Sequence, residues 1–199
     1  GINTTGISLG AKYYLQPTEP TKKMVFKVPF DSYFFMDLSA GWDVNSSMGE
    51  WLINSYHTSP DSPNYHTKDY RIYSGVTAHA TAMYRYSRRY ASGIGLDYTY
   101  YPYTDALQEE DEKLGYQNQT YNKHSVALVA RHEVYYRRLT MYMGLAYYLL
   151  RERGGVASEF EKPYYENLGI KYALTRNGNI YIGYHVKAHL LRAEHMELN

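Results

Sequence analysis

The sequence contains no cysteine. A disulfide scaffold, a thiolate metal site and a cysteine nucleophile are therefore all excluded. It has no run of 18 apolar residues, which excludes a transmembrane helix. The net charge is only +1, so no basic field indicates a nucleic-acid partner. Phosphate-binding loops, dinucleotide fingerprints, nucleophile elbows and zinc-protease motifs are absent too, and no cofactor is expected.

The abundant residue is tyrosine, which occupies 26 of 199 positions. Tyrosine has a high β-propensity, which is one explanation. It also suits a membrane–water boundary, because its ring is apolar and its tip is polar. The tyrosines cluster near the ends of the predicted strands, and this placement favours an aromatic girdle.

Apolar and polar residues alternate with period two in long segments. In residues 139–149 one face is large and apolar, and the other contains Thr140, Gly144 and Ala146. The apolar face consists of Leu139, Met141, Met143, Leu145, Tyr147 and Leu149. Helical spacing sorts these residues less well. The mean hydropathy of −0.58 does not exclude a membrane barrel, since only every second residue of a strand meets lipid.

Eight segments follow this pattern, and we predict a strand for each of them. They lie at about 6–15, 33–43, 73–87, 91–103, 123–136, 139–149, 165–175 and 179–191. A ninth begins near Met196 and stops at Asn199, so we expect eight to ten strands, the last one incomplete. The predicted fold is one all-β domain over residues 1–199, a transmembrane antiparallel up-and-down β-barrel. Residues 16–31 break the alternation and are not assigned. The chain opens at Gly1 without a visible signal peptide, and we interpret it as a processed or trimmed form.

Ionisable residues occupy the face opposite the apolar one. They are Lys12, Asp37, Asp43, His79, Arg85, Asp97, Arg131, Glu133, Lys171, His185, Lys187 and His189. Both signs of charge are present, and an unpaired buried charge costs several kcal/mol. We therefore expect these side chains to point into a narrow lumen and to form ion pairs there.

The connections between the predicted strands alternate in length. Short turns lie at 87–90, 136–138 and 175–179, and long loops lie at about 44–68, 104–121 and 151–163. The Asn177-Gly178 pair is a strong hairpin signal. Arginines mark the turn side, whereas glutamates are concentrated in the long loops. Short periplasmic turns and long outer loops are typical of bacterial outer-membrane barrels, and this is the predicted location.

Two histidines near the end of the chain resemble a metal pair. In a strand, however, His185 and His189 share a face and stand roughly 13 Å apart. One ion cannot bind both at ~2.0–2.1 Å, so no metal site is predicted. A second interpretation pairs His189 with Glu194 or Glu197 as an oriented general base. The alternative is a salt bridge in the lumen or at its rim.

Several motifs occur together in the last third of the chain. They are His132-Glu133, Tyr165 to Tyr172, Tyr181 to Gly183, Lys187 to His189, and then Ala193, Glu194 and Glu197. With these motifs the segment resembles the lipid A 3-O-deacylase (PagL-like) family of outer-membrane barrels, in the Bacteroidetes-type branch often labelled acyloxyacyl hydrolase.

The resemblance implies hydrolysis of a carboxylic ester of lipid A. In that family a serine attacks the ester, a histidine takes the serine proton and a glutamate from the last strand orients the histidine. Carried over, the catalytic residues are His189 and Glu197. Leu191 stands where the serine is expected and Arg192 where an asparagine is expected, so the family nucleophile is missing.

Two further observations bear on this implied chemistry. Ser158 lies in a long loop, and it replaces the missing serine only if that loop folds over the rim. The family acts on lipid at the outer wall, whereas the alternation directs His189 into the lumen. A β-bulge near His189 would reverse that direction, and the sequence shows none.

Three functions are compatible with the sequence. The first is a lipid A-modifying, esterase-like outer-membrane barrel whose catalytic serine is lost or replaced, with lipopolysaccharide or other outer-membrane lipids as its partners. The second is a non-enzymatic barrel that assembles with partner proteins in the outer membrane. The third is a soluble barrel for a small ligand, which requires apolar residues inside and charges outside.

Overall fold

The computed structural model describes residues 4–15, 29–63, 65–66 and 71–189. These residues contain eight strands. They are β1 (Thr4–Tyr14), β2 (Tyr33–Ser46), β3 (Ile72–Arg85), β4 (Tyr90–Tyr100), β5 (His124–Tyr136), β6 (Leu139–Leu150), β7 (Tyr164–Ala173) and β8 (Ile180–Ala188). Each strand pairs antiparallel with its neighbours in sequence, and β1 pairs with β8 to close the barrel. The predicted all-β up-and-down barrel is confirmed. The predicted start of a ninth strand near Met196 lies outside the described residues, as does most of 16–31.

The two faces of the strands have the predicted directions. Leu145 on β6 is 58% exposed on the outer wall, whereas Asp37 and Glu133 are at most 1% exposed inside. Every ionisable residue assigned to the inner face lies there, and most of them are buried. The barrel is therefore apolar outside and polar inside, the arrangement of a membrane barrel.

Short turns connect the strands at one end of the barrel, which we call the turn end. At the β7–β8 turn, Gly178 has a φ of 75° and donates its N–H to the Thr175 carbonyl over 3.2 Å. At the β3–β4 turn, the Ser87 hydroxyl accepts from the backbone N–H of Tyr90 over 2.9 Å. The sequence signals for tight turns are confirmed at both places.

The tyrosines divide between the two faces. Outside, Phe34, Tyr84, Tyr86 and Tyr90 form a row near the turn end, with ring centroids 4.7, 6.4 and 6.4 Å apart along the row. This row matches the expected girdle. Inside, buried tyrosines fill the lumen, which the girdle interpretation missed. They include Tyr142, Tyr148, Tyr165 and Tyr181.

Inward-facing glycines make room for two of these rings. A Cβ at Gly10 would lie 2.3 Å from the Tyr181 ring, and a Cβ at Gly169 would lie 2.4 Å from the Tyr142 ring. Any larger residue at either glycine would displace a lumen tyrosine. Small residues on the polar face therefore leave space for large side chains from neighbouring strands.

The long loops fold into helices at the opposite end, which we call the loop end. The helices are α1 (Met48–Leu52), followed by a π-helical turn (Ile53–His57), then α2 (Thr104–Lys113) and α3 (Gly154–Phe160). The three α-helices contact one another and form a cap. No helix among the described residues is long and apolar enough to cross a bilayer.

Two acidic residues of α2 form hydrogen bonds to other segments at the loop end. Asp111 accepts from the N–H groups of Gly155 and Val156 over 2.6 and 3.2 Å, so it holds the start of α3. Glu110 accepts from the Tyr73 hydroxyl over 2.7 Å and also from Ser47. Burial raises the pKa of Glu110, although these two hydrogen bonds act in the opposite direction.

Candidate functional site

The inner charges near the turn end are centred on Lys171. Its ammonium group lies between the carboxylates of Asp37 and Glu133 and contacts both. Lys12 lies 3.7 Å from Glu133. The hydroxyl of Tyr181 donates to Asp37, and the hydroxyl of Tyr135 donates to Glu133. The predicted lumen of ion pairs is confirmed here, with tyrosine as an additional carboxylate partner that the sequence analysis did not anticipate.

A second buried group occupies the middle of the lumen around Asp97. His79 Nδ1 lies 2.7 Å from the carboxylate, and Arg131 lies 3.8 Å from it. Tyr165 donates its hydroxyl to the same carboxylate over 2.8 Å. Residues 4–15, 29–63, 65–66 and 71–189 contain no group of three or more histidine, aspartate or glutamate side chains arranged to hold a metal ion.

His189 follows directly after β8 and points into the loop end of the lumen. Its Nε2 lies 3.2 Å from the Tyr148 hydroxyl and 3.9 Å from Glu161 Oε2. The ring is 8% exposed. The inward direction predicted from the alternation is therefore correct. The register irregularity in the barrel lies between β5 and β6 at Val126 and Ala127, on strands that do not carry His189.

Positive charge surrounds this histidine. Arg151 contacts Glu161, and Arg153 lies 4.0 Å from the same carboxylate. Burial, together with the charges of Arg151, Lys187 and Arg153, lowers the pKa of His189 to about 3. A histidine with such a pKa is neutral at physiological pH, so its contact with Glu161 is not an ion pair. An effective general base has a pKa near the working pH, and His189 does not.

The residues predicted to act with His189 are not among those that the structure describes. Glu197 lies outside the described residues, as do Glu194, Leu191 and Arg192. Among the described residues, the carboxylate near His189 is that of Glu161, which comes from the β6–β7 loop. Ser158 lies on α3, where its hydroxyl donates to the Gly154 carbonyl over 2.7 Å. His185 is paired separately, with its Nε2 3.3 Å from Asp43.

The lowered pKa predicts how stability changes with pH. The unfolded chain binds a proton at His189 near pH 6.5, whereas the folded chain does not until about pH 3. The free energy of unfolding should therefore fall as the pH decreases through this window. In His189→Gln this slope should be smaller by about 1.4 kcal/mol per pH unit. Urea unfolding at several pH values measures it.

The exposed His57 provides a matched control for this measurement. His57→Gln makes the same substitution at a histidine that is exposed on the cap, and it shows how much the change from histidine to glutamine alters the slope by itself. If His189→Gln retains the original slope, His189 is not a buried neutral histidine.

A serine–histidine pair lies on the outer wall, which the sequence analysis did not single out. Ser92 on β4 and His132 on β5 are opposite each other, and Ser92 Oγ lies 2.9 Å from His132 Nδ1. The Tyr90 ring stacks on the His132 ring with centroids 5.9 Å apart. The pair therefore belongs to the aromatic row near the turn end. The next residue, Glu133, points into the lumen and does not orient His132.

The family model described as the acyloxyacyl hydrolase C-terminal domain matches residues 40–199. The matched segment runs from the middle of β2 onward, about four fifths of the sequence. The curated proteins and the solved structures gave no match to this chain.

Proposed function

The chain belongs to the acyloxyacyl hydrolase family, and from this premise we propose that it is an outer-membrane barrel of a Gram-negative bacterium that binds membrane lipid without hydrolysing it through His189. His189, the residue that matches the family's catalytic histidine, lies at the loop end of the lumen. The position of that ring carries the proposal, because an ester in the membrane is separated from it by the barrel wall.

The chemistry around His189 supports the same conclusion. The described hydroxyl in hydrogen-bond contact with the ring is the phenol of Tyr148, and the expected serine position holds Leu191. If His189 took the proton of a nucleophile, its ring would become positively charged beside the guanidinium groups of Arg151 and Arg153. Their repulsion makes His189 a poor acceptor for that proton. Glu197 as a catalytic partner remains a prediction from the resemblance.

The outer wall supports membrane residence and lipid contact. Large apolar side chains cover it from end to end, with aromatic rings near both ends. A soluble barrel would need the opposite sidedness, so that alternative is not retained. Lipopolysaccharide is the lipid class that the family suggests. Partner proteins in the membrane remain a prediction from the sequence.

A hydrolysis assay tests the proposal. The purified barrel in lipid vesicles is incubated with lipid A that carries an ester-linked 3-O acyl chain, and released fatty acid is measured by mass spectrometry. We expect no release above the protein-free background, and no difference between the unmodified chain and His189→Ala. Release that stops in His189→Ala would overturn the proposal.

A second candidate function rests on the Ser92–His132 pair. A serine hydrogen-bonded to histidine is the minimal arrangement for acyl transfer, and this one faces lipid. The described residues supply no carboxylate for His132, which weakens it as a base. In the same assay Ser92→Ala separates the two candidates: release lost in Ser92→Ala but kept in His189→Ala would assign an esterase to the outer wall.

A further inference from the structure

The helical cap has an open cleft beside α2. Its volume is about 460 Å³, within the usual range of small-molecule sites. Most of the lining residues are polar, namely Gln108, Glu112, Gln117, Asn118 and Gln119, and Gln108 donates to Glu112 over 3.0 Å. The cleft lies outside the lumen, and it is independent of the lipid-binding function proposed above.

The end of α2 builds this cleft. Gly115 has a φ of 88°, its N–H donates to the Glu112 carbonyl over 3.1 Å, and the Tyr116 N–H donates to the Asp111 carbonyl over 3.0 Å. This Schellman motif reverses the chain at the helix end. The following residues therefore return along the face of α2 that carries Gln108 and Glu112.

Two tyrosine rings complete the lining, and both are held in place. Tyr116 packs against Gly155, where an added Cβ would lie 2.3 Å from the ring, and it donates to Glu159. Tyr121 donates to Asp111 over 2.7 Å, and its backbone forms a bridge with Arg153. Rings fixed in this way lose little conformational freedom when a ligand binds.

The lining matches the chemistry of a sugar. Amide and carboxylate groups both accept hydrogen bonds and amides also donate them, as sugar hydroxyl groups require. Tyr116 and Tyr121 add an apolar ring with a polar tip to this lining, which suits the mixed surface of a pyranose. The lining contains no lysine or arginine, whereas Glu112 and the adjacent Glu159 repel anions. We propose that this cleft binds a neutral oligosaccharide.

Calorimetry on the full chain tests this proposal. The detergent should be an amine oxide, because sugar-headed detergents would compete for the cleft. The probes are maltotetraose, cellotetraose and chitotetraose, with tetragalacturonate as the acidic counterpart. We expect millimolar or tighter binding of at least one neutral probe and weaker binding of the acidic one.

A matched pair of variants locates the binding. Glu112→Ala should weaken the neutral probe about tenfold or more, because it removes one lining carboxylate. Glu109→Ala changes an exposed glutamate of the same helix outside the cleft and should leave the affinity unchanged. Both positions tolerate alanine, a strong helix former. Absence of heat with all neutral probes, equal affinity in Glu112→Ala, or preference for tetragalacturonate would overturn the proposal.

Discussion

Replacing Lys171 with methionine is expected to lower the free energy of unfolding by about 3–5 kcal/mol, since it leaves two carboxylates buried without their shared cation. Asp37 and Glu133 are both at most 1% exposed, so water cannot replace the lost ammonium group. Lys12 remains 3.7 Å from Glu133 and compensates for only one of the two charges. Urea unfolding in lipid vesicles, followed by the fluorescence of the two tryptophans, measures the effect.

Two further variants separate charge from packing. Lys171→Met combined with Asp37→Asn removes the cation and one anion, leaves Lys12 beside Glu133, and should recover most of the lost stability. Lys113→Met changes an exposed lysine on the cap and should stay within about 0.5 kcal/mol of the unmodified chain. A single Lys171→Met variant as stable as this control would show that Lys171 is not the centre of the ion-pair group.

The ion-pair group also shows what the sequence could predict about the lumen. A period of two assigns each side chain of a strand to either the inner or the outer face. Lys171, Asp37 and Glu133 could therefore all be placed inside. The pairing between them depends on strand register and barrel closure, which bring residues from β2, β5 and β7 together. Sequence spacing contains no such information.

The lumen tyrosines were missed for a related reason. Tyr142 and Tyr148 stand at positions of the small, polar face of β6, but the alternation analysis grouped tyrosine with the apolar residues. A phenol can satisfy a buried carboxylate while its ring fills space in the lumen, and Tyr165 does so at Asp97. The inward glycines opposite such rings were the available signal.

The site was predicted only in part. The inward direction of His189 follows from alternation along β8, which runs without a bulge to Ala188. Its neighbour Glu161 could not be found in this way, because it reaches the lumen through a loop that folds into α3. Arg151 and Arg153 share that origin. Strand periodicity therefore does not reveal the charged loop residues that surround His189 and lower its pKa.

Replacing Leu145 with arginine on the outer wall is expected to lower the free energy of unfolding in a bilayer by about 2–4 kcal/mol. Leu145 is near the middle of β6 and 58% exposed, so the new charge would lie deep in the hydrocarbon region. Reversible urea unfolding in vesicles of defined thickness measures the change.

Leu149→Arg is the matched control on the same strand and face. Leu149 is 60% exposed and lies four residues closer to the loop end, where the cost of a charge falls to about 0–1 kcal/mol. The difference between the variants reports depth in the membrane, because both leucines have similar exposure and shape. In a soluble barrel both arginines would face water and have similarly small effects. Equal small changes would therefore contradict the membrane assignment, and with it the lipid-binding function.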